Sequence, residues 1–199
     1  MAPLTKTYLI KRVAAALSLA VAVFLILNSS YILQNLKYYL HRPATVADNV
    51  TPTPQAEPDY LWADSLNISV PLKYVEEAKE SVFEEALKDG AVHFPGTALP
   101  GQIGNAYYFG HSSDYPWSGG HYKTVFALLP KISIGSEIRI TDHEGNLFTY
   151  VVTETKVVAP SDVSVLSQDT NQKKILSVQT SYPVGTALRR FVAIAELKE

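Results

Sequence analysis

Between Val13 and Leu27 the chain reads VAAALSLAVAVFLIL, interrupted only by Ser18. No other stretch limits the possible folds so tightly, because a helical run with no polar face has to leave water altogether. Continued through Asn28–Ser30 to Tyr31, Ile32 and Leu33, it reaches about twenty residues, the length an α-helix needs to cross the hydrocarbon layer. Lys6, Lys11 and Arg12 precede the run, and Lys37 and Arg42 follow it. That slight excess of positive charge favours a cytoplasmic N-terminus. Tyr8, Tyr31, Tyr38 and Tyr39 flank the run, where aromatic rings sit at a membrane interface. The expectation is a single-pass signal anchor in the cell membrane: residues 1–12 a cytoplasmic tail, 13–33 the transmembrane helix, and the remainder extracytoplasmic. A cleaved signal peptide is the rival reading, but no A-x-A-like site follows the apolar run. A buried helix of a soluble protein is a third and weaker one, since the run lacks a polar face.

Residues 34–59 read as a Pro-rich linker. The stretch 41–59, HRPATVADNVTPTPQAEPD, holds four prolines and almost no large apolar side chain, so it has nothing with which to build a core. Residues 60–199 are expected to form one domain. Hydrophobic residues make up 47% of the chain and charged ones 18%, which suits a packed core. The formal net charge of -2 offers no basic field for nucleic acid. Neither metal-ligand spacing nor a Gly-rich phosphate loop occurs, so no metal or cofactor is expected. There is no cysteine. A domain of this size folds without disulfides, so the absence says little about compartment, but it excludes thiol catalysis by this chain.

From Tyr60 onward, short runs rich in Val, Ile, Tyr, Phe and Thr predict strands at Ile68–Leu72, Ala106–Phe109, Glu137–Thr141, Phe148–Val158, Ile175–Thr180 and Phe191–Leu197. Pro100-Gly101, Gly104-Asn105 and Glu144-Gly145-Asn146 mark turns between them. One helix is predicted over Val75–Lys88 from the spacing of Val75, Ala78, Val82, Phe83 and Ala86. A second, short one is predicted at Thr124–Leu129, stopped by Pro130. Many short strands with one or two helices inserted predict an all-β domain closed, or nearly closed, into a barrel.

Three segments carry more than periodicity. Gly90–His111, GAVHFPGTALPGQIGNAYYFGH, fits G-x-x-H-x-P-x-T-x-x-P-G-x-x-G-N-x-x-x-x-G-H. Phe126–Ile140, FALLPKISIGSEIRI, is followed by YVVTETKVVAPSDVSVL, and Leu176–Leu197 reads LSVQTSYPVGTALRRFVAIAEL. In order and spacing these resemble the sortase family across essentially all of residues 60–199. The resemblance implies an eight-stranded sortase-like β-barrel behind a membrane anchor. It also implies a cysteine transpeptidase that cuts a C-terminal sorting signal of secreted surface proteins. The acyl group then passes through a thioacyl-enzyme to an amine acceptor, a cell-wall peptide or a pilin lysine. The family's catalytic histidine falls at His111, its cysteine at Ser181 and its arginine at Arg190. The sequence departs from the family at one of these, since Thr180-Ser181 stands where Thr-Cys is the pattern.

The residues themselves bear on each assignment. His111 ends a predicted strand beside Gly110 and suits proton transfer near neutral pH; His93, His121 and His143 lack its context, and His143 is expected to be solvated in a turn. Ser181 shares strand parity with Ser177 and Gln179, opposite Leu176 and Val178, so it is expected to look into a groove. Arg190 shares parity with Val192, Ile194 and Glu196, while Arg189 falls with the more uniformly apolar Phe191, Ala193, Ala195 and Leu197. This makes Arg190 the candidate for binding an oxyanion and Arg189 a surface or barrel-end residue. The loops Ala159–Lys173 and Ser181–Ala187 would wall the groove, with Pro160, Val163, Val165 and Leu166 as either an apolar slot or ordinary packing. Glu76, Glu77, Glu80, Glu84 and Glu85 are expected on a solvated helix face.

A hydroxyl needs an adjacent base where a thiol is already partly ionised, so this chain is expected to transfer acyl groups weakly or not at all. Ser181 is read as a replacement of cysteine, with a native serine as the alternative. The competing functions are a non-catalytic pseudosortase that binds peptides at the cell surface and a serine hydrolase built on the barrel. The latter lacks a G-x-S-x-G elbow.

Overall fold

The computed structural model describes residues 6–40, 57–115 and 117–198. Two helices come first, α1 (Lys6–Leu27) and α2 (Ser29–Leu40). Asn28 separates them, yet its amide bonds to the Phe24 carbonyl and its own carbonyl accepts from Ile32, so the helical ladder runs across the break. Ile10–Leu27 is long and apolar enough to span a bilayer and is wholly exposed. Residues 34–40, expected to begin the linker, are instead the last turns of α2. The Pro-rich segment 41–56 lies outside the described residues.

Eight strands follow: β1 (Tyr60–Ala63), β2 (Ile68–Tyr74), β3 (Ala91–His93), β4 (Gly104–Gly110), β5 (Glu137–Thr141), β6 (Leu147–Val158), β7 (Lys174–Tyr182) and β8 (Arg189–Leu197). They close into a barrel in the order β1-β2-β3-β4-β7-β8-β6-β5, with Leu61 of β1 facing Ile140 of β5 across the seam. Alternation sends one face of each strand inward, so Val70, Leu72, Ala106, Tyr108, Ile138, Ile140, Tyr150, Leu176, Val178, Ala193 and Ala195 make a single core. Two neighbouring pairs are parallel, β2 with β3 and β4 with β7. A parallel pair needs a crossover. Helix α3 (Glu80–Leu87) lies in the first, and the second takes the chain through β5 and β6.

The expected strands are all present, five of the six longer by one to three residues. Two were not anticipated: β1 and β3 have four and three residues, too short for a period of two to register. The helix predicted from Val75 begins only at Glu80. Tyr74 is still paired with His93, and a turn closed by the Lys79 amide on the Glu77 carbonyl must come first. The second predicted helix is not one: Thr124–Leu128 forms turns, and a single 3-10 turn covers Leu129–Lys131. Pro130 lies in its first turn, where a missing amide costs nothing, so proline begins this element instead of stopping one.

The motif between β3 and β4 is a wrapped loop whose glycines are structural. Gly101 has φ +78, and a Cβ there would come 2.3 Å from the Phe148 ring. Its amide donates to the Tyr150 hydroxyl at 2.8 Å. Gly101→Ala is expected to destabilise the barrel by about 1–3 kcal/mol through strain and overpacking. Urea unfolding of the full chain in detergent should read this as a lower midpoint at an unchanged slope.

Candidate active site

β4 and β7 run parallel in register from Gly104↔Lys174 to Gly110↔Thr180. The Thr180 hydroxyl donates to the Gly110 carbonyl at 3.0 Å in the buried interior, which locks the end of that register. One residue further on, His111 follows the end of β4, beside Ser181, which is still within β7. On the other flank of β7, Ser181 pairs with Arg190 of β8. His111, Ser181 and Arg190 therefore occupy one rung across three adjacent strands, with about 4.8 Å between neighbouring strands. All three face outward, opposite the core residues Leu176, Val178 and Ala193, as the parity of Ser181 and Arg190 predicted.

They open into a groove of ≈ 460 Å³. Its floor is Tyr107 and Gln179, joined by a 2.7 Å bond from the tyrosine hydroxyl to the amide oxygen. One wall is the aromatic cluster of Phe83, Phe94 and Phe109, with Phe83 edge-on to Phe109 at 4.9 Å. The other wall is the 3-10 turn Val163–Leu166, whose N-cap Asp162 accepts from the Ser164 amide. Pro160, Val163, Val165 and Leu166 all line the groove, so of the two readings left open for them the slot is what the geometry contains. Tyr107, Gln179, Asp162 and the phenylalanines were not singled out in the sequence. The outward parity of Tyr107 and Phe109 on β4 was the available signal.

The second wall hangs on Gln168. Its amide oxygen accepts from the backbones of Ala98 and Asn105, at 3.1 and 3.0 Å. Its nitrogen donates to the carbonyls of Asn105 and Leu166, at 3.0 and 2.9 Å. Asn105 adds a bond from its own amide to the Val165 carbonyl at 2.9 Å. One glutamine thus ties the wall to the start of β4.

Arg190 Nη1 lies 3.4 Å from Ser181 Oγ and also donates to the carbonyls of Ala187 and Arg189, at 3.2 Å each. The guanidinium is aimed at residue 181 by the loop that joins β7 to β8. The side chain of His111 has no hydrogen-bond partner among the described residues, Ser181 included. Burial lowers the His111 pKa, only partly offset by the charges of Asp114 and Glu84, which favours the neutral ring. Burial likewise pushes up the pKa of the Tyr107 phenol, so it keeps the proton that it donates to Gln179.

The remaining histidines separate clearly. His93 is buried, and its Nε2 lies 2.9 Å from both the Ala98 carbonyl and Thr97 Oγ1. Since the Thr97 hydroxyl donates to the Phe94 carbonyl, His93 carries its proton on Nε2 and braces the loop. His143 is exposed in a turn, as expected, and is also held by Asp59 at 2.6 Å, with its ring tilted against Tyr74 at 4.5 Å. Arg189 is exposed. All five glutamates are exposed too, although Glu76 and Glu77 precede α3 instead of belonging to it.

His111, Ser181 and Arg190 thus stand on one rung of a closed β-barrel, beside a groove with two apolar walls. Residues 64–198 match the sortase domain. The chain belongs to the sortase family. Over 89 residues it is 36% identical to Sortase A of Listeria monocytogenes, a match spanning 43% of this chain and 39% of that protein. Among solved structures it resembles a Clostridium perfringens sortase D5 transpeptidase, with a TM-score of 0.57 and 25% identity over 70% of this chain and 78% of that one. Sortase C-1 from Actinomyces oris shares the fold at a TM-score of 0.60 and 18% identity, over 85% and 99% of the two chains.

Two measurements follow from this geometry. Gln168→Ala strands the amides of Ala98 and Asn105 at a cost of about 1–3 kcal/mol. Both amides should then exchange with deuterium markedly faster, while core amides of β8 stay protected. The second concerns pH. His93 and His111 have folded pKa values held below the unfolded value of about 6.5, mainly by burial. Their contribution to stability is full above that value and is lost as pH falls from there through the lower folded pKa. Unfolding free energy should therefore drop between pH 7 and 5, and His111→Asn should flatten part of that slope.

Proposed function

We propose that this chain is a sortase-type transpeptidase in architecture, anchored in the cell membrane by α1 with its barrel on the extracytoplasmic side. Its groove binds the C-terminal sorting signal of a secreted protein. Ser181 stands in the position of the attacking cysteine. The observation that carries this reading is the His111–Ser181–Arg190 rung beside a groove with two apolar walls.

In the reaction the site is built for, the side chain at 181 attacks the scissile carbonyl. The former carbonyl oxygen becomes an oxyanion within reach of Arg190, whose nitrogen is already 3.4 Å from the attacking atom. Collapse breaks the amide bond, and His111, carrying the proton that the side chain at 181 gave up, passes it to the departing amine. An incoming amine, from a cell-wall peptide or a pilin lysine, then attacks the acyl-enzyme and releases residue 181. With cysteine, the first step starts from a thiolate. With serine, a base has to take the hydroxyl proton, and His111 makes no bond to Ser181 while Arg190 donates to its oxygen. The serine chain therefore holds a peptide but acylates slowly. A non-catalytic peptide-binding role is the second reading, favoured by that missing base contact.

The test is intact-mass spectrometry of full-length protein incubated with a sorting-signal peptide library and an amine. Ser181→Cys should yield a thioacyl adduct and transfer product, at least about 100-fold faster than the serine chain. In that background Arg190→Ala should lose about 100- to 1000-fold in kcat. An absence of adduct with every peptide would overturn the transpeptidase reading and leave peptide binding, measurable by calorimetry on the serine chain.

A further inference from the structure

Helix α2 is amphipathic the wrong way round for a helix in water. The residues half-buried against the barrel are Asn28, Tyr31, Gln34, Asn35 and Tyr38, a stripe of polar and tyrosine side chains at helical spacing. Asn35 Oδ1 accepts from Lys131 Nζ at 2.5 Å, and the same ammonium lies 4.8 Å over the Tyr38 ring. Tyr38 packs against the core cluster. The opposite stripe is Ile32, Leu33, Leu36 and Leu40, and all four are exposed, Leu33 and Leu36 by 55% and 52%. A helix with its outer face in water carries its polar residues outward.

What covers that apolar stripe is indicated by where the helix comes from. The backbone ladder joins α2 directly to the apolar span Ile10–Leu27. Laid end to end, α1 and α2 measure about 52 Å at 1.5 Å per residue. The hydrocarbon core is about 30 Å thick, so much of α2 extends past it, and transmembrane helices lie tilted by about 20° on average. Tilt turns one face of the emerging helix down toward the lipid and the other up. The barrel is on the polar side, so the face turned down is the apolar one. The loop between β7 and β8 lies at the same level: a Cβ on Gly185 would be 4.0 Å from Asn28 Oδ1.

We propose that α2 is an interfacial helix. Its Ile32–Leu33–Leu36–Leu40 stripe lies in the headgroup–acyl boundary of the bilayer that α1 crosses, and its polar stripe seats the groove-bearing end of the barrel. The inference rests on the anchor reading of α1 and goes beyond it, because it makes the segment after the span a second membrane contact instead of a tether.

The chain has no cysteine, so one introduced thiol labels one site. Nitroxides would be placed at Leu33→Cys, Leu36→Cys, Leu19→Cys and Ile103→Cys of the full chain, reconstituted in vesicles of phosphatidylcholine and phosphatidylglycerol. Leu19 reports the span. Ile103, exposed just before β4 begins, reports water at the opposite end of the barrel. Power saturation should show Leu33 and Leu36 at least about five-fold less accessible to a nickel chelate than Ile103 and rich in oxygen, as for interfacial burial. Nickel access at both positions equal to that at Ile103, with Leu19 still lipid-buried, would overturn the proposal and leave the anchor standing. Nickel access at Leu19 as well would remove the anchor and the proposal together. Spin–spin broadening at Leu36 that disappears on dilution with unlabelled chain would assign the stripe to a second copy, and also overturn it.

Discussion

The parallel pairing of β4 with β7 is the constraint on which the rest depends. Parallel neighbours cannot be joined by a hairpin, so the chain must leave the end of β4, build β5 and β6 on the far side of the barrel, and return. The return strand then runs in the same direction as β4, and their ends lie side by side. Thr180 fixes this end from inside by its bond to the Gly110 carbonyl. Gly110 has no room for a side chain, since a Cβ would come 2.7 Å from the Phe126 ring. Buried packing on one face of the sheet thereby sets how far apart His111 and residue 181 stand on the other.

The groove gets its shape from polar bonds and its character from apolar ones. Gln168 uses both faces of its amide on backbone, and so ties the wall that presents Val163, Val165 and Leu166 to the start of β4. Arg190 is oriented by loop carbonyls and so points at residue 181 whether that residue is charged or not. What changes between a thiol and a hydroxyl at this position is the proton inventory. Burial favours the neutral imidazole, and an anion beside it would favour its charged form.

Much of this was legible in the residues, and the failures have physical causes. Strands of five or more residues announced themselves by alternation, and the same alternation chose Arg190 over Arg189 correctly for the groove face. β1 and β3 are too short to alternate detectably; they exist because β2, β4 and β5 offer them edges. The start of α3 was misplaced because Val75 and Ala78 fit a helical spacing while strand pairing holds the preceding residue, Tyr74. The glutamine clamp was invisible: its four partners come from Ala98, Asn105 and Leu166, and no local pattern joins them to Gln168. His143 is the exposed turn residue expected, and only its partner Asp59, 84 positions away, was out of reach.

The rung has a temporal side. Gly110 and Thr180 are 70 positions apart, and nothing between them brings His111 to Ser181 until the second crossover is complete. Closing so long a loop costs entropy before any contact rewards it, so such pairings come late in folding. A chain still emerging or half-collapsed holds His111 far apart from Ser181 and Arg190. The groove they line is thereby withheld from every intermediate and first exists in the finished barrel.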